Sequence, residues 1–373
     1  MLSRIAFFPV LLLTAFSFGE VTLLRVPDSG IEPQAAIDAK GTIHLVYYKG
    51  ADSRGDLFYS TTVDGKAFSP ALQVNSQKGS ALAVGAVRGA QMALGREGRV
   101  HVAWMGSGVA EPKAPGNATP LLYTRMGLDG TFEPQRNVIS KYVGLDGGPS
   151  IAADEVGHVC IAWHAPGRAN AGEADRRVWL ARSINDGGAF QPEIQIAGQG
   201  VCACCSLKIA IDPDGKIFGL FRQAKDKTQR GTVYFGYGML GNLTFEREIA
   251  PMESGKCIMS TFALAQTADQ RVTAYETSGE IFLNLIPKIG PSRAKEISVG
   301  EGKHPSIAIN AKGEILVARA VGTSWGKGGS IAWQVFDAGG QPIAGQSGTA
   351  DGLPVWSYPA AIARSDGSFV VFY

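Results

Sequence analysis

Apolar and polar positions alternate along most of this chain, and the alternation recurs in units of similar design. Each unit is an apolar stretch, a turn that usually carries glycine, and a second apolar stretch ending in an aromatic residue or arginine. Alternation interrupted by a polar turn predicts a β-hairpin. Seven copies are present: PQAAIDAKGTIHLVYY, AQMALGREGRVHVAWM, PSIAADEVGHVCIAWH, SLKIAIDPDGKIFGLFR, TFALAQTADQRVTAYE, PSIAINAKGEILVARA and PAAIARSDGSFVVFY.

The copies are spaced like the units of a repeat protein. Most are followed by a second strand–turn–strand pattern, such as LFYSTTVDGKAFSPALQV, so each repeat holds about four short strands. No segment shows sustained helical periodicity, which argues against a helical repeat. Four strands recurring every 50 or so residues is typical of a propeller blade. The turn residues are Gly41, Gly98, Gly157, Gly215, Gln270, Gly313 and Gly367.

The sequence therefore predicts an all-β fold, a β-propeller of seven four-stranded blades. Six blades remain an alternative if one copy is absorbed into a neighbour. The last copy stops at Tyr373 after two strands, whereas residues 21–27 precede the first copy and have no blade of their own. We expect these residues to supply the outer strand of the last blade and so to close the ring, which protects the strand edges.

The N-terminus has the pattern of an export signal: a basic start, a short apolar run, and small residues before Glu20. The run is shorter than a spanning helix requires. We therefore expect residues 1–19 to be a signal peptide and residues 20–373 to form one periplasmic or secreted, monomeric propeller domain without a membrane span. The formal net charge of +2 gives no indication of a nucleic-acid partner.

One turn carries a recognisable motif. Residues Ser183 to Phe190 read SINDGGAF, which resembles the Asp-box of sialidase-like propellers with Asn and Phe substituted; residues 60–68 and 128–132 are looser versions. In that superfamily the box stabilises the outer hairpin of a blade and is not catalytic. The resemblance covers the mature chain at the level of its repeat pattern and implies the same fold.

A narrower resemblance involves cysteines. Many exported bacterial proteins of the sialidase-like group carry Cys-x-Cys-Cys at the start of one blade and a Cys-Pro-Met-like triplet at the start of the next. Here the sequence has Cys202-Ala-Cys204-Cys205 and Cys257-Ile-Met259. Catalytic sialidases also carry an arginine triad, and their first blade begins with an Arg-Ile-Pro-like motif. This chain reads IEPQAAID there, and three arginines do not map onto the triad, which argues against sialic-acid cleavage.

In such a propeller the residues just before each hairpin copy ring the central axis on one face, and the hairpin ends open on the same face. A concave ring of loops is the usual ligand site of such a scaffold. The face is expected to contain the cysteines with Met259 and His304, together with the ligand candidates Arg88, Asp146, Trp163, His164, Arg222, Tyr275, Glu276, Trp356 and Tyr358.

Two chemistries compete for Cys202, Cys204, Cys205 and Cys257. Cys257 lies about one blade after Cys205, so a disulfide from Cys257 to the triplet would join blade four to blade five. Alternatively, thiolates and a thioether favour Cu(I), or zinc with more nitrogen ligands, and Met259 and His304 would complete the shell. The fifth cysteine, Cys160, alternates along an apolar strand and is expected to be a buried structural thiol.

Three functions remain open at this stage. The first is a non-catalytic propeller whose cysteine-rich central face binds copper, zinc, a ligand or a partner. The second is a carbohydrate-active enzyme, for which Asp146 and Glu276 are candidate paired carboxylates. The third is a disulfide-stapled scaffold for protein interaction. Carbohydrate or protein is the expected ligand, and the missing arginine triad counts against the second function.

Overall fold

The computed structural model describes residues 20–168, 171–198, 200–226, 228–238, 241–254, 258–288 and 294–373. The expected signal peptide and Cys257 lie outside these described residues. Within them the chain is all-β: the helical segments are four single turns of 3-10 helix, and no segment is a helix of the length and apolarity that crossing a membrane requires. The 3-10 turns are Pro27–Ser29, Arg96–Gly98, Pro115–Asn117 and Glu173–Asp175.

The strands of the described residues form seven sheets, six with four strands and one with three. The six four-stranded sheets are antiparallel meanders in chain order, as the repeated hairpin pattern predicts. Blade 1 is β2 Ile31–Ile37, β3 Ile43–Ala51, β4 Arg54–Thr62 and β5 Leu72–Gln73; blade 2 is β6 Gln91–Leu94, β7 Val100–Met105, β8 Leu121–Arg125 and β9 Arg136–Asn137; blade 3 is β10 Ser150–Ala153, β11 Val159–Pro166, β12 Arg176–Ser183 and β13 Ile194–Ala197.

The second half of the ring repeats this arrangement. Blade 4 is β14 Leu207–Ile211, β15 Ile217–Arg222, β16 Thr232–Tyr237 and β17 Leu243–Ala250; blade 5 is β18 Ala263–Gln266, β19 Gln270–Thr277, β20 Glu280–Pro287 and β21 Lys295–Glu301; blade 6 is β22 Lys303–Ile309, β23 Ile315–Val321, β24 Gly329–Phe336 and β25 Pro342–Leu353; blade 7 is β26 Ala360–Ala363, β27 Phe369–Phe372 and the N-terminal β1 Val21–Leu24.

Ring closure follows the prediction. Strand β1 pairs in parallel with β27, with Val21 opposite Phe369 and Leu24 opposite Phe372. The Val26 amide also donates to the carbonyl of Tyr373 at 3.1 Å. The two ends of the described chain therefore share one sheet, and the alternative of six blades is wrong because all seven hairpin copies build separate blades.

The inner hairpins owe their turns to a repeated backbone choice. In the first copy the Gly41 amide donates to the Asp38 carbonyl at 3.0 Å with Gly41 at φ 81°, and Gly157 repeats this with Asp154 in the third copy. Glycine adopts this left-handed conformation without steric cost, so it sets the register of the hairpin. Blade 5 has Gln270 in place of glycine and still forms its hairpin. The Thr267 amide donates to the Gln270 carbonyl at 2.8 Å, and the Gln270 amide donates to the Thr267 hydroxyl at 3.2 Å.

Apolar side chains fill the spaces between blades. Seven of the buried clusters in the described part of the chain lie between neighbouring blades, one for each pair around the ring, including blade 7 with blade 1. Cys160 belongs to the cluster between blades 3 and 4, where burial raises its pKa to about 12. It is the buried structural thiol that its strand position predicts.

The Asp-box-like turn is built as the motif predicts. The Ser183 hydroxyl accepts from the Gly187 amide at 3.0 Å and donates to Asn185 Oδ1 at 2.8 Å. Asn185 Oδ1 also accepts from the Ala189 amide at 2.9 Å, and Phe190 packs edge-on against Tyr123 with ring centroids 4.9 Å apart. The turn thus closes the connection from β12 to β13 and fastens blade 3 to blade 2.

The innermost strands contact one another in a closed ring, each touching its two neighbours. A cavity lies inside this ring, lined by residues from six of the seven blades. The loops that precede the inner strands surround one end of the cavity, which we call the central face. The fold therefore brings the segments that contain the predicted site residues to the same end of the molecule.

Candidate functional site

Backbone strain marks the central face. Of the eleven non-glycine residues with left-handed φ angles among the described residues, four lie here: Glu32, Met259, His304 and Trp356, at 53°, 47°, 50° and 63°. All four lie at or just before the innermost strand of their blade. Such conformations cost free energy and persist only where the surrounding structure fixes them, which is common at functional sites.

Three of the cysteines form a compact sulfur cluster on this face. Cys202 Sγ lies 3.5 Å from Cys205 Sγ and 3.5 Å from Cys204 Sγ, and all three sulfurs lie within 4.8 Å of one another. Cys202 and Cys205 are free thiols, each about 1% exposed. We call Cys202 and Cys205 the dithiol pair. The cluster packs with Ala224, Met252 and Ile258 between the loops of blades 4 and 5.

The dithiol pair shares a proton unequally. The Cys202 thiol donates to Cys205 Sγ, which lowers the pKa of Cys205 and raises the pKa of Cys202. The positive charge of Arg222 and the backbone amides of Ser260 and Met259 further lower the pKa of Cys205. A single thiolate on Cys205 is therefore the favoured charged form, and thiolate is the form that binds metals.

The loop bearing the cluster is held by its neighbours in blades 3 and 4. The Cys202 amide donates to the carbonyl of Arg222 at 2.8 Å, and the Ala203 amide donates to Glu173 Oε1 at 2.8 Å. Glu173 also forms an ion pair with Arg230 at 3.0 Å. These contacts fix the sulfur positions without using any sulfur atom.

His164 lies beside the cluster but has neither ring nitrogen free. Nε2 is hydrogen-bonded to the Cys205 carbonyl at 2.7 Å, and Nδ1 accepts from Arg176 Nη2 at 2.9 Å. Burial, and then the charge of Arg176, lower the pKa of His164 to about 3. His164 therefore acts as a neutral positioning residue for the Cys205 backbone in this structure.

Met259 and His304 do not join the sulfurs. Among the His, Cys, Asp and Glu side chains of the described residues, the candidate metal-ligand group that includes the dithiol pair contains the three cysteines and not His304. A Cβ at Gly85 would lie 2.8 Å from the Met259 methyl, so this side chain reaches toward blade 2. His304 is buried, has no hydrogen-bond partner at Nδ1, and lies 6.1 Å from Tyr358 between ring centroids.

Met259 and His304 instead line a second pocket of the face with Trp356 and Trp325. The pocket encloses about 140 Å³. The two indoles meet edge to face with centroids 4.7 Å apart, and Trp325 is 64% exposed. Trp325 was not singled out by sequence reasoning; a tryptophan between Ser324 and Gly326 in a polar loop is the signal that could have found it.

The charged candidates pair off across neighbouring blades. Arg88 Nη2 lies 2.7 Å from Asp146 Oδ1, joining blades 2 and 3. Arg222 Nη2 lies 3.6 Å from Glu276 Oε2, joining blades 4 and 5, and both of these side chains are almost wholly buried. Each carboxylate suggested for glycoside chemistry therefore has its own arginine, and the structure does not bring Asp146 and Glu276 together as a pair.

The remaining aromatic candidates pack inside blades. Trp163 is fully buried between blades 2 and 3, and its indole donates to the Tyr142 carbonyl at 3.2 Å. Tyr275 is also fully buried and hydrogen-bonded to Glu296. Tyr358, by contrast, lines the central cavity and accepts from Gln34 Nε2 at 3.0 Å, while burial raises its pKa.

Two further ionisable groups lie near the axis: Glu32, which its position just before the first hairpin copy places in the ring of loops, and Lys208, which was missed as a site residue. Glu32 is 1% exposed, its carboxylate oxygens have no hydrogen-bond partner in the described chain, and burial raises its pKa well above the usual range. Lys208, on inner strand β14, points into the cavity. A lone lysine within the apolar run of SLKIAI was the signal available in the sequence.

No protein-family model matches the chain, and comparison with curated proteins finds no match. Solved structures share its fold. A Dyadobacter fermentans protein of unknown function is 14% identical, with a TM-score of 0.56 over 90% of this chain and 98% of the other. A Penicillium chrysogenum α-L-arabinanase complexed with arabinobiose is 12% identical, with a TM-score of 0.54 over 84% and 95%.

A Hadza microbial sialidase is 15% identical, with a TM-score of 0.52 over 86% of this chain and 74% of the sialidase. At these identities the likeness establishes the fold. The chain has a sialidase-like β-propeller fold, as the repeat and the Asp-box resemblance predicted.

Proposed function

We propose that this propeller binds one cuprous ion through the thiolates of Cys202 and Cys205, and that it does so without catalysing a reaction. The observation that carries the proposal is the 3.5 Å separation of these two buried, free sulfurs on the central face. Two thiolates in an apolar pocket are soft ligands, and soft ligands select Cu(I).

The number of ligands at the sulfur cluster suits a low coordination number. With a metal–sulfur bond of about 2.3 Å, as for zinc thiolates, two sulfurs on opposite sides of an ion would lie about 4.6 Å apart. The dithiol pair would need to open by about 1 Å to reach that separation. A structural zinc site needs four ligands, and no histidine or carboxylate of the described residues belongs to the cluster.

The role of Cys204 is a separate part of the proposal. We assign it to a disulfide with Cys257 that joins the loops of blades 4 and 5, as expected for an exported protein. Support comes from Cys204 itself, which is not among the free thiols of the described residues. The proposed copper site uses only the dithiol pair, so it does not depend on this bond.

An anaerobic titration with Cu(I), in competition with a chromophoric cuprous chelator, tests the metal site. The full mature chain is expected to withdraw one equivalent of copper, and Cys160→Ser serves as the matched control because Cys160 is a buried free thiol in another cluster. Cys202→Ser and Cys205→Ser should each weaken binding at least a hundredfold. Copper retention by the double variant would overturn the proposal.

Non-reducing peptide mapping tests the disulfide assignment. A cross-linked peptide containing Cys204 and Cys257 supports it, and a Cys202–Cys205 linkage in freshly purified protein contradicts the assignment of the dithiol pair as the metal site.

A fluorogenic glycoside panel tests the carbohydrate-active alternative. Turnover that is abolished by Glu276→Gln would favour that function over the non-catalytic one.

A further inference from the structure

The central cavity holds a lysine that spans it. Lys208 extends from β14 of blade 4, and its Nζ donates to Gln91 Oε1 on β6 of blade 2 at 2.8 Å. Blade 3 lies between these two blades, so the side chain crosses the ring rather than contacting its neighbour. The cavity encloses about 180 Å³.

This ammonium group has no ion-pair partner within 4.0 Å among the described residues. Fifteen such pairs occur elsewhere in them, several nearly buried. Burial lowers the pKa of Lys208 to about 8, and no neighbouring charge offsets this effect. The side chain is part-buried in the cavity. An ammonium withdrawn from bulk water without an anionic partner costs free energy that a bound anion would offset.

Other hydrogen-bond donors face the same cavity. The Tyr358 hydroxyl accepts from Gln34 Nε2, which leaves its own O–H for another acceptor. The Ser306 hydroxyl similarly accepts from the Ala361 amide at 2.9 Å and retains its proton for donation. Ser206 and Thr261 also line the cavity. The wall therefore offers one positive charge and several neutral hydroxyl donors.

We infer that the central cavity binds a small oxyanion, either a carboxylate or a phosphate group, through the Lys208 ammonium. The anion replaces the missing counter-charge, and Tyr358 and Ser306 donate hydrogen bonds to its remaining oxygens. A cavity of this size admits a small ion or a short acid. The site is independent of the dithiol pair, since none of its residues belongs to the sulfur cluster.

Isothermal titration calorimetry on the mature chain at constant ionic strength tests the inference, with inorganic phosphate, acetate and malonate as probes and chloride as the reference anion. Binding of phosphate alone, or of acetate and malonate alone, would identify which kind of oxyanion the cavity accepts. Lys208→Met should weaken binding at least tenfold. Lys216→Met is the matched control, because Lys216 is an exposed lysine in the turn after β14 that pairs only with Asp214.

A second measurement avoids the variants, in case Lys208→Met does not fold. Nuclear magnetic resonance of the lysine side chains in the wild-type protein reports the pKa of Lys208, which should rise when an anion binds because a negative charge stabilises the ammonium. The titratable groups on this side of the cavity are Tyr358, which stays neutral in this range, and the Glu32 carboxyl close to Tyr358, whose pKa burial raises. No saturable binding by any probe, or an unchanged pKa of Lys208 at saturation, would overturn the inference.

Discussion

The imidazole of His164 in blade 3 is hydrogen-bonded to the backbone carbonyl of Cys205 in blade 4, with 2.7 Å between Nε2 and the oxygen. This contact fixes the orientation of the residue that carries the more acidic thiol. The Arg176 guanidinium fixes the tautomer, because it donates to Nδ1 and leaves the proton on Nε2. His164, which was predicted to face a ligand, thus positions the sulfur site through a hydrogen bond to the Cys205 backbone.

Replacing His164 by leucine should lower the free energy of unfolding by about 3 kcal/mol, since a buried carbonyl and a buried guanidinium each lose a hydrogen-bond partner. Chemical denaturation measures the loss. His158→Leu is the control: His158 pairs with Asp154 in a partly exposed position, and its loss should cost less than about 1 kcal/mol. Equal losses in the two variants would contradict the positioning role.

Mild acid should destabilise the fold through three buried histidines. Burial lowers the pKa values of His101, His164 and His304 to about 3, from the usual 6.5. Protons then bind preferentially to the unfolded chain, so stability is present above pH 6.5 and is lost as the pH falls toward 3. At pH 5 each of these histidines should lower the free energy of unfolding by about 2 kcal/mol relative to pH 8.

Urea denaturation at pH 8, 6 and 5 measures this dependence. The free energy of unfolding should fall most steeply between pH 6 and pH 5, and a variant with His304 replaced by glutamine should show a shallower slope. A stability curve that is flat from pH 8 to pH 5 would show that these imidazoles are protonated in the folded state.

Removing the carboxylate of Glu276 should cost about 3–5 kcal/mol, because the buried Arg222 guanidinium would lose the carboxylate with which it forms an ion pair. Thermal or urea unfolding of Glu276→Ala measures the effect. Asp214→Ala, which breaks the exposed pair with Lys216, should cost less than about 1 kcal/mol. Replacing both Arg222 and Glu276 by apolar residues should restore much of the loss, and a double variant as unstable as the sum of its singles would argue against their coupling.

Replacing Cys202 by alanine should raise the pKa of Cys205, because the thiol that donates to the Cys205 sulfur is removed. Thiolate absorbance near 240 nm, followed against pH in protein kept reduced, measures the change. Cys160→Ala should leave the lowest thiol transition in place, since Cys160 is remote in another cluster. An unchanged transition in the Cys202 variant would mean that another cysteine forms the first thiolate.

The blade architecture follows from signals that lie within a few residues of one another. Alternation sets each strand, Gly41 and its counterparts set the inner turns, and Ser183 with Asn185 closes an outer turn through its own backbone. Because these interactions are local, they can be predicted without knowledge of the rest of the fold. The closure of the ring by the N-terminal strand was predictable too, since an incomplete last blade requires a further strand, whereas its parallel register was not.

The sequence by itself determined the propeller, its seven blades and the gathering of the cysteine loop and the other strand-entrance loops on one face. The tertiary structure decided which side chains meet there: Cys202 with Cys205, His164 with a backbone carbonyl rather than a sulfur, and Lys208 with Gln91 across the ring. These contacts join residues on different blades or depend on loop conformations such as the left-handed Met259. Their geometry is set by how the blades rotate and pack together, and no periodicity along the chain encodes it.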